Sequence, residues 1–509
     1  MAIQRFWYAS TPFLRALVLM NYMPRSRTFS LTQGPLGYYT TPQKNLANRQ
    51  IQMIRGKMLG GCSGLNNLGI ILAGSVEYDA IDQLGNPGWS YNTTLQYFKK
   101  ATNMSEAPEA LQITTHATED PTYHGTDGPV RASYSAWYSD ATPLAYDAMV
   151  NLGFSQAYDG AYYAPNAARP NLLVVTGAQV TKIVTSQAGS SGNLTATGIT
   201  FVSGSQTYTA NASREVILSA GSVQTPQLLE LSGIGNKTLL ESLGIESKLD
   251  LPEVGENYQD HLIAYEQFIL PSDVVTWDVF SNPGPNATAW LEYETNRTGP
   301  YASSINVISY QPAAKVVGNN TLLEQWLAEL DEQFNATQPT AGHRAMYDRG
   351  PGFQLNTSYL MLASIPSHPF SRGSIHIDTS YPLAKPIIDM NALALDIDKH
   401  LFVAGAKFIR TIAQTSPLSD EIQSMDLPAL NMTTDDDWEK FIAENVDNPA
   451  HPCCTAAMLP RELGGVVDST LTVYGTSNLR VVDLSILPLG TAYAIAEQAA
   501  DLIKADYGF

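Results

Sequence analysis

The chain has 509 residues, enough to bury a large core and to build two or three domains. Its 29 Lys and Arg against 48 Asp and Glu give a net charge of −19, which disfavours nucleic acid and anionic membrane surfaces, because both demand clustered cations. With 15% charged and 44% hydrophobic residues it is not a disordered polyelectrolyte, and no apolar run reaches the ~18 residues of a membrane span.

In chain order, residues 1–30 carry Phe6-Trp7-Tyr8 and an apolar stretch from Phe13 to Met20 that Arg15 interrupts. No small-residue cleavage site follows, so the stretch does not read as a signal peptide. Arg55 to Asn66 is a glycine-rich segment. Between 165 and 210, runs such as Leu173-Val174-Val175 and Val180 to Val184, with a turn at Ser190 to Asn193, predict antiparallel strands. Arg214 to Ser219 reads as a strand, Ala220-Gly221-Ser222 as a tight turn, and Thr225-Pro226 as the start of a helix that stops at Gly233-Ile234-Gly235. Residues 260–440 are less regular, with short helices such as Leu322 to Leu330, and form a separate layer or domain. Leu479 to Leu484 reads as a buried strand, Pro488-Leu489-Gly490 as a break, and Thr491 to Ala505 as a helix with Ala492, Ile495, Ala499 and Leu502 on one face. Strand–turn–helix units beside antiparallel strands give an α/β or α+β fold.

Three candidate chemistries stand out. Glycines and small polar residues from Arg55 to Asn66 permit close backbone approach to a ligand; the plain alternative is an ordinary loop, and neither a Walker loop nor a G-x-G-x-x-G turn is spelled out. His451, in Asn448 to Thr455, can exchange a proton near neutrality; the alternatives are a loop histidine or a metal ligand with Cys453 and Cys454, and zinc needs about four ligands where no other Cys lies nearby, so no metal site is assigned. The other seven histidines have no motif partner and read as structural. No G-x-S-x-G elbow marks a serine hydrolase. Trp277, Phe280, Tyr301 and Tyr359 line either an apolar cavity or a core. Three cysteines, two of them adjacent, make no disulfide framework. Eleven Asn-x-Ser/Thr triplets, headed by Asn92, Asn103, Asn193, Asn211, Asn236, Asn286, Asn296, Asn319, Asn335, Asn356 and Asn431, come from secretory ancestry or from chance in an Asn-, Ser- and Thr-rich chain.

Taken together the segments resemble the glucose–methanol–choline (GMC) family of FAD-dependent oxidoreductases, in its fungal branch. The resemblance runs from about Gly37 to the C-terminus. It rests on Tyr38 to Gln43 with Arg55 to Asn66, Gly85 to Ser90, Tyr123 to Val130, Ser219 to Leu229 with Ser232 to Gly235, and Leu251 to His261. It continues through His368 to Ser374, Pro386 to Asp389, and the closing block from His451 to Leu502. It implies a discontinuous, Rossmann-like FAD-binding domain and a substrate domain with an antiparallel sheet over the flavin. The expected organisation is an atypical segment over 1–30, the main FAD-binding part over 31–255, a substrate domain over 256–440, and a return to the FAD domain over 441–509. It implies that Gly61, Cys62, Asn66, Asn67 and Gly69 touch the flavin and pyrophosphate, that Val180 meets adenine, and that Asp483 and Leu484 lie by the flavin chain. It implies that His451 is the active-site histidine, with a small-molecule primary or secondary alcohol as substrate and oxygen or another electron acceptor as oxidant, in fungal secondary metabolism. Two departures accompany it. No G-x-G-x-x-G turn precedes Tyr38, so the first βαβ unit is expected to be absent. The loop from Leu487 to Tyr493 is short and lacks the family's second catalytic His or Asn, with Tyr493 the nearest polar side chain. The alternative these departures raise is a catalytically defective or truncated homologue.

Overall fold

The computed structural model describes residues 36–57, 61–64, 74–107, 122–134, 137–152, 175–187, 192–276, 283–296, 298–302, 313–333, 359–428, 432–487 and 492–508, with single positions 72, 109, 112 and 280. Residues 1–30, Asn66, Asn67, Gly69, Trp277 and the 488–491 break lie outside the described residues, as do Leu173 and Val174.

A hairpin comes first, β1 (Leu36–Tyr39) antiparallel to β2 (Gln52–Arg55). Helices α1 (Ser75–Gln83) and α2 (Tyr91–Ala101) follow, joined by the turn that carries Trp89. That indole is buried and donates from Nε1 to the Ser469 carbonyl at 2.9 Å, while Asn86 Nδ2 donates to the Ile81 and Met458 carbonyls. The Gly85 to Ser90 motif therefore pins the C-terminal segment to the N-terminal one. Helix α3 (Ala141–Asn151) comes next. Then β3 (Ala178–Gln187), β4 (Leu194–Ser203) and β5 (Gln206–Asn211) form an antiparallel sheet in the order β3-β4-β5, as the alternating pattern predicts.

The strand predicted at 214–219 is β6 (Val216–Leu218), followed by helix α4 (Gly221–Leu231). The strand predicted at 479–484 is β12 (Leu479–Val481), parallel to β6 with Leu479 opposite Val216. Both strands are shorter than predicted, and the helix starts four residues earlier than Thr225. One cause accounts for the early helix start and for the turn beyond β12. The Asp483 carboxylate accepts from Gly221 N–H (2.9 Å) and Thr225 Oγ1 (2.7 Å), so a distant residue caps the helix and the chain turns away after Val482. Pro226 sits inside α4 without an N–H to donate to Ser222, and the freed Ser222 carbonyl accepts from Thr455 Oγ1 at 2.7 Å instead. The terminal helix α8 (Ala492–Asp506) packs on α2, but its buried stripe is Ala494, Ile495 and Ala499, and Ala492 faces solvent. Around β6, β12, α4 and α8 the core gathers Leu228, Leu229, Val481, Ile486 and Leu487, each worth ~1.5–3 kcal/mol when fully buried.

The middle region builds a second layer. Strands β7 (Ala264–Ile269), β8 (Tyr359–Ser364) and β11 (Ser424–Leu427) form an antiparallel sheet in the order β8-β7-β11. Between them run helix α5 (Asn320–Gln333), the hairpin β9 (Ser374–His376) and β10 (Ile387–Asp389), and helix α6 (Asp396–Ala413). α6 and α3 cover the Phe268 and Leu360 face, and α7 (Asp435–Asn445) closes the side. Period-two alternation sends Tyr265 and Gln267 to the opposite face. The mixed α/β architecture with an antiparallel second sheet agrees with the sequence; among the described residues the parallel pairing around α4 comprises β6 with β12 and, just past the helix, Ile234–Gly235 with Leu249–Asp250. Phe280 and Tyr301 belong to an aromatic layer, edge-on to Trp137 and Trp290, and Asn286 donates to the Tyr301 hydroxyl at 2.7 Å.

Candidate active site

β2 ends at Arg55, whose guanidinium donates to the Ala450 carbonyl and so ties the first signature to the loop before His451. The chain then folds back on itself: a Cβ at Gly56 would meet the Gly61 carbonyl oxygen at 2.1 Å and the Cys62 nitrogen at 2.8 Å. Only glycine permits that approach. Residues 61–64 form one 3-10 turn, with Gly61 at φ +53° and Cys62 exposed. The first N–H groups of such a turn have no partner inside it. Ser63 is held by the Tyr493 hydroxyl. Tyr493 thus braces the glycine turn from the start of α8.

The histidine loop is clamped from three directions. Cys453 exchanges backbone hydrogen bonds with Gln259, at 2.9 and 3.2 Å. The N–H groups of Cys454, Ala456 and Met458 donate to the carbonyls of Leu484, Ser485 and Ile486. Ser222 Oγ, at the start of α4, donates to the Pro452 carbonyl at 2.7 Å. Ala450 and Cys454 hold positive φ angles, +66° and +70°. Under the loop lies the buried Asp260 carboxylate, which accepts from His451 N–H (2.9 Å), Asn448 Nδ2 (2.8 Å) and the Tyr258 hydroxyl (2.7 Å). Burial raises its pKa to about 6, against those bonds and Arg55, which lower it.

The His451 ring lies edge-on to His261, with centroids 5.0 Å apart, planes at 89° and Nδ1 to Nδ1 at 2.9 Å. His451 is solvent-exposed; the protein packed beneath it, followed by Arg55, lowers its pKa to about 4, and water at the exposed residue softens that depression. His261 is pushed well below the usual histidine range by burial first, then by His451 and His368. The pair is uncharged at neutral pH, so His451 can accept a proton.

The remaining sequence candidates fall as follows. Asp483 spends its carboxylate on α4 and on Ser485 N–H, and Leu484 spends its carbonyl on Cys454, so what the strand end offers a ligand is backbone N–H. The helix α4 N-terminus is already met by a protein anion and is not a free phosphate site. Val180 sits half-buried at a bulge in β3, opposite Phe201, and makes no hydrogen bond to His451, Asp483 or the glycine turn among the described residues. Cys453 and Cys454 are buried with their sulfurs 3.2 Å apart. Among the described residues no three metal-ligating side chains gather. Sequence reasoning read His261 as structural and passed over Asp260 and Arg55. The signal was present, since Tyr258 to His261 belongs to a quoted motif, but nothing local says that it meets residue 451.

The sequence profile of the GMC oxidoreductase N-terminal region matches residues 34–263, and that of the C-terminal region matches residues 369–496. A dehydrogenase of Armillaria gallica, ARMGADRAFT_1018426, is 34% identical over 92% of this chain and 83% of its own. Among solved structures, an FAD-dependent oxidoreductase from Chaetomium thermophilum superposes with a TM-score of 0.83 at 26% identity, over 97% of each chain. A fungal aryl-alcohol oxidase shares the fold, with a TM-score of 0.85 at 24% identity over 96% of this chain and 92% of its own. Matched by both profiles and by a relative of this identity and coverage, the chain belongs to the GMC oxidoreductase family and is an oxidoreductase enzyme.

Proposed function

We propose that the protein is an FAD-dependent oxidoreductase that takes a primary or secondary alcohol as substrate, with His451 accepting the hydroxyl proton. The observation that carries this reading is the exposed His451, whose ring meets His261 while Asp260 holds its backbone N–H and Arg55 holds the preceding Ala450 carbonyl, next to the chain that leads into the glycine turn.

The residues fit the flavin end of the cofactor. Gly56 leaves no room for a side chain, the 61–64 turn presents backbone N–H groups, and Asp483 and Leu484 add backbone N–H groups at the end of β12. Gly61, Cys62, Asp483 and Leu484 would hold the flavin side, with Asn66, Asn67 and Gly69 beyond the described residues and Val180 toward the adenine. Bound FAD supplies the two-electron acceptor that no side chain can replace. The chain's own residues orient the alcohol, exclude water and hold its proton at His451. Support comes from the family membership and from the solved relatives named for FAD-dependent oxidoreduction and aryl-alcohol oxidation. The division at 31–255, 256–440 and 441–509 belongs to the same proposal, and the pairing of β6 with β12 supports a discontinuous cofactor domain. A fungal setting is supported by the Armillaria relative, and a role in secondary metabolism is part of the proposal.

The test is direct. Purified protein reconstituted with FAD is expected to be yellow, and to bleach under anaerobic conditions when a benzylic or aliphatic alcohol is added. His451→Ala keeps the colour and loses the bleaching. A full chain that binds no FAD, or one that bleaches equally well without His451, overturns the reading. Among the sequon residues, Asn286 already commits its amide to the Phe280 carbonyl and Tyr301 hydroxyl, whereas Asn193 and Asn211 are exposed. A secretory route, which those exposed acceptors support, predicts a mass loss on enzymatic deglycosylation of protein from a fungal host.

A further inference from the structure

We infer that His261 is a positioning residue for His451: its bare Nδ1 accepts the His451 Nδ1–H and so leaves His451 Nε2 as the unprotonated nitrogen. The inference rests on reading His451 as the proton acceptor. The two Nδ1 atoms are 2.9 Å apart, and neither two lone pairs nor two protons fit that contact, so one ring donates and the other accepts.

Ser367 decides the direction. Its backbone hydrogen-bonds His261 in a way that favours the protonated ring, which identifies the Ser367 group as the carbonyl. A carbonyl only accepts, and Nδ1 of His261 is engaged with His451, so the proton on His261 sits at Nε2. A neutral imidazole carries one N–H. His261 Nδ1 is therefore bare and His451 Nδ1 carries the proton. The ring of His451 then presents Nε2 with its lone pair, the form a general base requires.

Among the described residues the surroundings supply no rival for this job. Asp260 is engaged by the His451 backbone, Asn448 and Tyr258. Arg55 faces the Ala450 carbonyl, and its positive charge disfavours a charged His451. His368 is held by Glu77 at 3.1 Å. His261 thus takes an orienting part in a chain whose final loop is short.

The test reads protons rather than turnover. Full-length protein with nitrogen-15-labelled histidine is examined by long-range proton–nitrogen correlation, with His451 assigned by its loss in His451→Ala. The expected wild-type signature is an Nδ1–H, Nε2-bare ring at His451. His261→Asn, whose amide oxygen stands in for the Nδ1 lone pair, retains that signature. His261→Phe, which keeps the volume and removes the acceptor, moves His451 toward the Nε2–H form and slows alcohol-dependent bleaching about tenfold, the size expected for losing one hydrogen bond. A wild-type His451 bare at Nδ1, or an unchanged His451 tautomer in His261→Phe, overturns the inference. If His261→Phe does not fold, the wild-type spectrum alone decides. The spectra are recorded without alcohol. A wild type with the assigned tautomer that never oxidises an alcohol supports the hydrogen bond and defeats the functional reading.

Discussion

Replacing Asp260 tests how the histidine loop is held. Three donors converge on this buried carboxylate: His451 N–H, Asn448 Nδ2 and the Tyr258 hydroxyl. Asp260→Ala leaves all three without an acceptor in a largely buried space. At ~1–3 kcal/mol for each orphaned group, with the Asn448 amide and Tyr258 hydroxyl free to turn toward water, the loss is about 3–6 kcal/mol. Asp260→Asn keeps an oxygen for His451 N–H and lets the Tyr258 hydroxyl reverse, so it loses about 1–2 kcal/mol. The two variants also differ from wild type in pH response. Burial raises the Asp260 pKa from 3.8 to about 6, so the folded chain binds this proton more readily than the unfolded chain. Stability from this group therefore rises as pH falls through about 6 toward 3.8, by about 3 kcal/mol, at ~1.4 kcal/mol for each pKa unit. Asp260→Asn lacks that rise. Urea denaturation followed by tryptophan fluorescence at stepped pH gives both quantities. A stability for Asp260→Ala within ~1 kcal/mol of wild type, or an undiminished acid-side rise in Asp260→Asn, refutes the clamp, since an orphaned buried donor costs at least that much.

Three other outcomes are expected. Gly56→Ala drives a Cβ into the Gly61 carbonyl, so the purified variant should carry far less FAD per chain than wild type at equal folded content; equal flavin content contradicts the cradle. Thr455→Val, at a fully buried position, leaves the Ser222 carbonyl of the Pro226-containing helix without a donor and should lower the unfolding free energy by ~1–2 kcal/mol, a loss visible in the same urea titration. His376 lies between Glu230 (2.7 Å) and Glu256 (3.1 Å); burial alone would lower its pKa, and the two carboxylates outweigh it and raise the pKa from 6.5 to about 9. Its stabilisation is complete below about 6.5 and is lost as pH rises through about 9, so His376→Gln should flatten the alkaline side of the stability curve. Burial raises Glu230 too, but His376 gains two carboxylate partners, so its own shift governs the alkaline limb.

The elements legible in the chain were those with local causes. Alternation set β3 to β5, because side chains on a pleated strand point alternately to two faces. The strand-forming run Leu479-Arg480-Val481-Val482 and the glycine turn at 221 announced β12 and α4 for the same kind of reason. The family and the glycine turn were likewise readable, because spaced motifs survive as words in the sequence. The length of β12, the start of α4 and the identity of the histidine's partners were not readable. Asp483 caps a helix that begins far upstream of it, Thr455 repairs the carbonyl that Pro226 frees, and His261 meets His451 only when β2, the 258–261 segment and the C-terminal loop come together. By itself the sequence determined the family and the places of the strands and helices that have local causes. Tertiary structure alone decided which polar groups share a buried space, since hydrogen bonds and pKa shifts act over a few ångströms and register nothing of separation along the chain.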